Sequence, residues 1–579
     1  MSGIMGLMDI AKTSMAAEQL GVEVTSNNIA NVNTPGYSRQ RVEFETAAAT
    51  NYPYGPLGHG VRITGITRAF DPFITAKLDE HTSSLTASKS LMSDLDQVAS
   101  LFNETQDGGI NGLFTDFWNA WQSLSDNPSG SGERQALVNQ ALTLTEAFNY
   151  RANQLVQVRT AITQRVNPAM AEINDHLANI ANLNEQILET ESNMHQANDL
   201  RDQRQLELNR LSELIGVHYY TTGNGTINVA LADGTSLVEG GVAWSLQADS
   251  SSGSIKIEWQ GPGTPPLTKD VTAAVNSGQL AGIIQVRDTF IPQYQADLDD
   301  LAKELIAAVN LQHSQGVGLE LFTGTGSSNY ITNPDLALPL INNPSLSFGD
   351  RIAAGSFNLH VEDGAGASTV YNIAIGAGDD LNTLAAAITA ATGGDVTATV
   401  AEVPPGSGEN HLQLNAAANH SFGFSRDTSN VLMALGLNTF FKGDQAYTIS
   451  VNDALAANTD LIAAGRIDPV SGAHPPGDNN NSLALADLGG QAVGPGGLTF
   501  ADAYRELVSQ IGADAEQAEN SQTFYQGLVD QFKQLKDSVS GVSLDDELTN
   551  LIMYQRAYQA AARMVSVGDE MLQTLLSIK

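Results

Sequence analysis

Both ends of the chain carry apolar residues at helical spacing, and this pair of amphipathic ends constrains the fold more than any other feature. Near the carboxyl end Leu551, Tyr558, Val565 and Leu572 recur every seven residues. Tyr554, Ala561, Gly568 and Leu575 do the same, with Ala557, Met564, Met571 and Ile578 as a flanking row. A seven-residue apolar repeat is the seam of a coiled coil. Small side chains at Ala561 and Gly568 let another helix approach closely, although Gly568 weakens an isolated helix by about 1 kcal/mol. Ser543, with Asp546 three positions on, predicts the start of this helix, and Asp545 and Glu547 suit its positive end. At the amino end Ile4, Met8, Ala11, Met15 and Val22 form one stripe, with Leu7, Ile10, Ala17 and Val24 beside it.

The amino-terminal stripe runs into "TSNNIANVNTPGYSRQR", residues 25–41. Asparagine is a poor helix-interior residue because its amide competes for backbone groups, and the same amide serves well at helix ends. Pro35 disfavours the α region at Thr34, and Pro35-Gly36 suits the centre of a type II turn. The helix is therefore predicted to stop here and the chain to change direction.

The rest of the 579 residues is long enough for several cores. Helical spacing continues through Ile74, Leu78, Leu85, Leu95 and Phe102, and from Arg134 to about Ile215 with a break near Asn167-Pro168. Asn224-Gly225 and Asp233-Gly234 read as hairpin turns between "TINVAL" and "TSLVEG". Helix returns at 284–313, where Pro292 is tolerable in a first turn or at a kink. The stretches "SFNLHVE", "TVYNIAI", "DVTATVAEV" and "HLQLNAA" alternate as strands around a helix at 380–391. "HPPGDNNNS" reads as a loop, and helix resumes at about Phe500.

The predicted architecture is multidomain α+β. Residues 1–45 and 544–579 form a terminal coiled-coil domain. A long helical-bundle rod takes 46–216, 277–320 and 497–543. A small β-rich module occupies 217–276, and an outer β-rich domain 321–496, with a β-β-α-β-β insertion at about 350–417.

Reactive chemistry is hard to place. With no cysteine, the chain has no disulfide framework, thiolate metal site or cysteine nucleophile. No Walker loop, His-Glu-x-x-His or Gly-x-Ser-x-Gly stands in it. "TGTGSS" near Thr323 does not join a strand to a helix and reads as a surface loop. "DNNNS" at Asp478 lacks the central glycine and later glutamate of a calcium loop. Neither a cofactor nor enzyme activity is expected. A formal net charge of -36 would repel nucleic acid and anionic membranes. No apolar run approaches the ~18 residues of a membrane span, and the first residues lack the basic region of an ordinary secretory signal.

The apolar ends also set an expectation about order. A lone helix buries little, while fixing its backbone costs conformational entropy at every residue. Each end is expected to stay largely unfolded until helices of the same and adjacent subunits cover it. The alternative is an intramolecular bundle.

"NNIANVNTPGYSRQ", Asn27 to Gln40, resembles the amino-terminal signature of bacterial flagellar axial proteins, the family of rod, hook and junction subunits. "YQRAYQAAARMVSVGDEMLQTLL", Tyr554 to Leu576, resembles their carboxy-terminal one. The continuation Tyr37 to Gln40, the chain length, and "RDQRQLELNRLSELIGV", "LGLNTFFKGDQA" and "GDNNNSLALADL" resemble the hook-filament junction members rather than the shorter hook and rod proteins.

The resemblance implies a structural subunit exported by the flagellar type III apparatus and assembled through its terminal helices. It would form a ring between hook protein below and the third hook-associated protein above, with the helices lining an inner tube. The subunit interface would use Ile4, Met8, Ala11, Met15, Val22, Asn28, Asn31, Tyr37, Leu551, Tyr554, Tyr558, Ala561, Val565, Gly568, Leu572 and Leu575. An export chaperone would mask Leu551, Tyr558, Val565 and Leu572. The asparagines would cap the inner helix and bond across subunits, and Arg39 and Arg41 would pair with a neighbour's carboxylates. A hook or distal-rod subunit is the nearest alternative; a secreted cell-wall hydrolase on axial ends is the more distant one.

Overall fold

The computed structural model describes residues 2–52, 55–103, 109–191, 196–251, 253–339, 343–469 and 471–577. Two compact units emerge. One comprises Met1–Asp94, Ala161–Asp288 and Glu516–Lys579, the other Leu95–Thr160 and Thr289–Ala515. Both chain ends thus belong to one unit, and the helices expected to form a single rod are divided between two.

The first unit holds the helices Ser2–Ala30 and Leu544–Ser577. It also contains Val166–Glu191 packed on Asn198–Leu214, with Ile173, Leu177, Ile180, Leu208 and Leu211 buried. The helical run from Arg134 is interrupted at Arg165, three residues before Pro168, because proline is tolerated in a first turn but not inside a helix. The β-rich module is a meander of His218–Thr221, Ile227–Ala230, Ser236–Glu239 and Val242–Ala243 in chain order, followed by a three-stranded sheet, Ser245–Asp249, Lys256–Gln260 and Thr268–Asp270. Gly225 and Gly234 take φ of +85° and +82° at the two predicted hairpin turns.

Asparagine amides clip this module to the helix beneath it. Asn174 donates to Leu246 O at 2.9 Å and accepts from Leu246 N at 2.8 Å, as a peptide group in a sheet would. Asn184, fully buried, donates to Ile227 O and Gly240 O and accepts from Ile227 N and the Arg204 guanidinium. Its four-bond capacity is filled.

The sequence reading did not anticipate the ribbon that follows the Pro-Gly turn. Gln40–Thr46 pairs antiparallel with Val61–Arg68, with a register shift between Glu43 and Phe44. Val42, Phe44, Ile63 and Ile66 share one face. Gly60, at φ +93°, lies so close to the amino-terminal helix that a β-carbon there would meet Thr13 Oγ1 at 2.5 Å.

In the second unit Phe117, Trp121 and Phe440 form a buried aromatic cluster that meets His313 at the end of the helix Ile291–His313, and Phe114 packs on Phe148 and Phe500. Pro292 sits in that helix's first turn, and Ile291, Tyr294, Leu298, Leu301 and Leu305 are buried along one face, as the periodicity predicts.

The strand-strand-helix-strand-strand order near 350–417 is present, but its four strands fall in two sheets. Gly355–Glu362 lies between Ser368–Ile375 and Ser421–Ser425, while Asn410–Ala416 lies between Val396–Glu402 and Gly324–Gly326. The "TGTGSS" stretch is therefore an edge strand rather than a loop: glycines leave no side chains to clash, and its backbone pairs with Asn410–Ala416. "DNNNS" also departs from the expected loop, since it opens the short helix Asn480–Asp487. Asp478 there accepts from the backbone N–H of Arg466 at 2.6 Å. Among the described residues no three of His, Asp and Glu converge where they could hold a metal ion.

Candidate assembly interface

The amino-terminal helix lies antiparallel against the carboxy-terminal helix. Asn28 meets Glu547, Gly21 meets Tyr554 and Met8 meets Gly568, so residue numbers fall on one helix as they rise on the other. Heptad positions from Glu547 to Leu572 are buried or half-buried along this contact. Glu547, Ala561 and Gly568 are buried, and Leu551, Tyr554, Tyr558, Val565 and Leu572 are half-buried along the same line. On the opposing helix Ala11, Ala17, Gly21, Val24 and Asn28 are buried, and Ile4, Met8, Met15 and Val22 half-buried. Leu575 is exposed. Ile578 lies outside the described residues.

The expectation that the stripes find cover only in a polymer is thus revised. Each end is the other's first partner, because antiparallel heptads at matched length bury each other without a second molecule.

Covering the seam leaves the outward faces bare. Leu548, Ile552, Val567 and Met571 remain 47–51% exposed on the carboxy-terminal helix, and Met5 is exposed on the amino-terminal one. An apolar stripe of this kind on a folded chain marks an interaction surface.

Where the helices meet the turn, polar groups converge. Thr34 to Tyr37 closes as predicted, with Tyr37 N–H donating to Thr34 O at 3.2 Å and Gly36 at φ +80°. Asn31 ends the helix, its amide donating to Asn27 O and Asn27 Oδ1 and accepting from Thr34 Oγ1.

Asn28 is only 1% exposed and makes four bonds. Its amide donates to Gln40 O at 2.9 Å and Glu547 Oε2 at 3.0 Å; its oxygen accepts from Gln40 N at 2.9 Å and Tyr37 Oη at 2.8 Å. Burial raises the Tyr37 hydroxyl to about 12, reinforced by the carboxylates of Asp199, Asp202 and Glu547, so it remains a donor. Arg39 Nε lies 2.6 Å from Glu547 Oε1.

These contacts correct two expectations. Asn28 has no capacity left for another subunit, and Arg39 is already paired within the chain. Arg41 remains exposed. Around them Ser38 bonds twice to Asp202, which also holds Arg68 at 2.9 Å, and Gln40 reaches Asp199 at 3.0 Å. The turn is thereby locked to the helix Asn198–Leu214.

Gln40 and Asp202 were not singled out from sequence, and Glu547 was read only as suiting the start of its helix, since partners so distant in the chain leave no local signal. Gly21 did leave one. A glycine inside a helical stripe lowers helix stability and signals close packing.

Residues 95–327 match the family model described as flagellar hook-associated protein FlgK helical domain. Residues 8–37 match that of the flagella basal body rod protein, and residues 537–578 that of the flagellar basal body rod FlgEFG protein C-terminal region. The chain is 29% identical to flagellar hook-associated protein 1 of Salmonella typhimurium over 99% of its own length and 100% of that protein, and 28% identical to the Escherichia coli one over the same shares. Bacillus subtilis hook-associated protein 1 is 25% identical over 100% of this chain and 98% of that protein.

In fold, the chain is similar to the flagellar hook junction protein FlgK from Burkholderia pseudomallei, with a TM-score of 0.54, 19% identity, and coverage of 80% of this chain and 100% of that one. The chain is 66% identical to the basal-body rod protein FlgG of Caulobacter vibrioides, but over only 35 residues, 6% of this chain and 13% of that protein. End-to-end similarity, together with matches to the axial-protein models on the two helices that pair, shows this chain to be similar over its whole length to flagellar hook-associated protein 1 (FlgK).

Proposed function

We propose that the chain is a non-enzymatic subunit of the hook-filament junction of the bacterial flagellum, outside the cell, and that it assembles through the paired terminal helices. The observation that carries this reading is the division of the helix pair into a covered seam and a bare apolar flank. The seam fixes the fold of one copy; the flank is what remains for others. Its neighbours are the hook and other flagellar proteins. In finer terms, hook protein lies on one side, the third hook-associated protein on the other, and further copies of this chain beside it.

The seam residues Leu551, Tyr558, Val565 and Leu572 bear on export. They face the amino-terminal helix, so a chaperone that masks them must bind before the two ends pair. Chaperone binding and folding of the pair are then alternatives, which keeps the ends apart during type III export. A rod or hook subunit is disfavoured, because the matches to basal-body rod proteins cover only 6%, 7% and 12% of the chain.

Deleting the gene and viewing the cells by electron microscopy tests the reading. Hooks without filaments, with filament protein released to the medium, are expected. Normal filaments on the deletion strain would sink it.

A further inference from the structure

The second unit carries a cavity of about 580 Å³ between the end of the strand Ser421–Ser425 and the chain around Arg466 and Asp478. That is within the roughly 300–1,000 Å³ usual for small-molecule sites. Arg426 and Arg466 both line it, and neither guanidinium joins an ion pair or a hydrogen bond among the described residues. Other arginines of this unit do find carboxylates: Arg351 pairs with Glu304 and Arg505 with Asp502.

Two carboxylates also line the cavity, and both are engaged by neighbouring chain. Asp478 accepts from Arg466 N–H at 2.6 Å and from the Asn480 amide. Asp468 accepts from Ser471 N–H and Ser471 Oγ, each at 2.7 Å. They hold the loop in shape and neutralise neither guanidinium.

Ser425 adds an oriented hydroxyl. Beside it His360 is 2% exposed, with Nε2 2.7 Å from Ser425 Oγ and Nδ1 without a partner. Burial lowers His360 to about 4, and the charges of His474 and Arg426 push the same way, so the ring is neutral. A buried lone pair is easier to leave unpaired than a buried N–H, which puts the ring proton on Nε2. Nε2 then donates to Ser425 Oγ, and the Ser425 hydroxyl keeps its own hydrogen for the cavity it lines.

We infer that this cavity binds an acidic monosaccharide, a hydroxylated ring bearing one carboxylate, which Arg426 and Arg466 grip. A planar guanidinium takes a carboxylate through two parallel N–H···O bonds. Gln315 donates to Leu311 O and Asn480 to Asp478, which leaves their amide oxygens to accept from ring hydroxyls. Ile467, Pro469 and Pro475 give the C–H faces of the ring an apolar wall. An inorganic anion would fill only part of this space. In a chain of net charge -36 anions are repelled at a distance, so affinity rests on close contact with the two guanidinium groups.

Ligand-observed NMR on the full-length protein tests this with galacturonate, galactose and inorganic phosphate. Galacturonate is expected to bind, with galactose and phosphate each at least about tenfold weaker. Arg426→Gln and Arg466→Gln should each weaken galacturonate by a similar factor. Arg556→Gln, which removes the same charge from an exposed position on the carboxy-terminal helix, should leave it unchanged. Circular dichroism checks each fold; if Arg426→Gln, whose backbone stands at φ +49°, unfolds, Arg466→Gln alone decides. No binding of galacturonate, or galactose bound as well, would overturn the carboxylate contact. Phosphate bound as tightly would overturn the sugar. Affinity unchanged in the folded arginine variants would overturn the site. None of these outcomes bears on junction assembly, which the deletion strain reads separately.

Discussion

Gly21 faces the ring of Tyr554 so closely that a β-carbon on residue 21 would lie 2.7 Å from the aromatic carbons. The other glycine of the pair, Gly568, is less crowded: a β-carbon there would meet Met8 at 3.4 and 3.5 Å, an ordinary contact. Gly21 is thus required by the close approach, and Gly568 is not.

The two alanine substitutions should therefore have opposite signs. Gly21→Ala forces the Tyr554 ring aside and is expected to cost about 1–3 kcal/mol by overpacking. Gly568→Ala adds helix propensity at little steric cost and is expected to be neutral or stabilising by up to about 1 kcal/mol. Urea unfolding followed by far-ultraviolet circular dichroism measures both. Equal effects would mean that the helices do not pair in this register.

Asn28 turns the signature into a structural lock. Asn28→Asp keeps the shape, removes two donors and sets a carboxylate beside buried Glu547. We expect a loss of about 2–4 kcal/mol, combining unsatisfied Gln40 O with like-charge repulsion. Adding Glu547→Gln should return part of that loss. A melting temperature for Asn28→Asp equal to the parent's would show that the two donated bonds contribute nothing.

Buried ionisable groups give the two units opposite responses to pH. In the second unit the fully buried His313 is held neutral, with Nδ1 against Asn438 O at 2.8 Å and Nε2 accepting from Ala463 N–H at 3.0 Å. Burial lowers it from 6.5 to about 4. The unfolded chain then binds the proton first as pH falls, so this contribution is complete above 6.5 and about 3 kcal/mol is lost by pH 4.

In the first unit Asp79 is 4% exposed and accepts from Tyr219 Oη at 2.5 Å and Gln205 Nε2 at 3.1 Å. Burial raises it from 3.8 to about 7, so its contribution is complete below 3.8 and is lost as pH rises toward 7. Hydrogen exchange at pH 4.5 and 7.5 should show acid loosening residues 289–313 and 438–463 more than residues 198–221. Asp79→Asn should flatten the response of the latter. Uniform protection at both values would contradict both assignments.

What could be read from sequence was what lay within one helical repeat or one turn. The heptads at Leu551 to Leu572, the Pro35-Gly36 turn, the Asn224-Gly225 hairpin and Pro292 each announce themselves locally, and each stands where expected. The ribbon Gln40–Thr46 with Val61–Arg68 was missed because its strands are short and mixed in polarity. Asn28 was assigned to another subunit because nothing near it in the chain names Glu547, 519 residues away, as its partner. Both ends looked unpaired for the same reason. Amphipathicity tells that a face must be covered; it does not tell by what.

The covered seam and the bare flank can be separated by two substitutions of the same chemistry. Val565 is half-buried against the amino-terminal helix, whereas Ile552 is 51% exposed on the outward face. Val565→Asp places a carboxylate in the seam, where desolvation without a partner cation opposes pairing of the ends. It should lower the protection of residues 2–30 in hydrogen exchange, weaken binding of the export chaperone in calorimetry, and reduce junction assembly. Ile552→Asp places the same charge in water, so intramolecular pairing and chaperone affinity should stay near the parent's while assembly of copies falls. If Val565→Asp leaves chaperone affinity undiminished, the chaperone binds elsewhere. If Ile552→Asp assembles normally, the outward face is not the surface that meets a neighbour.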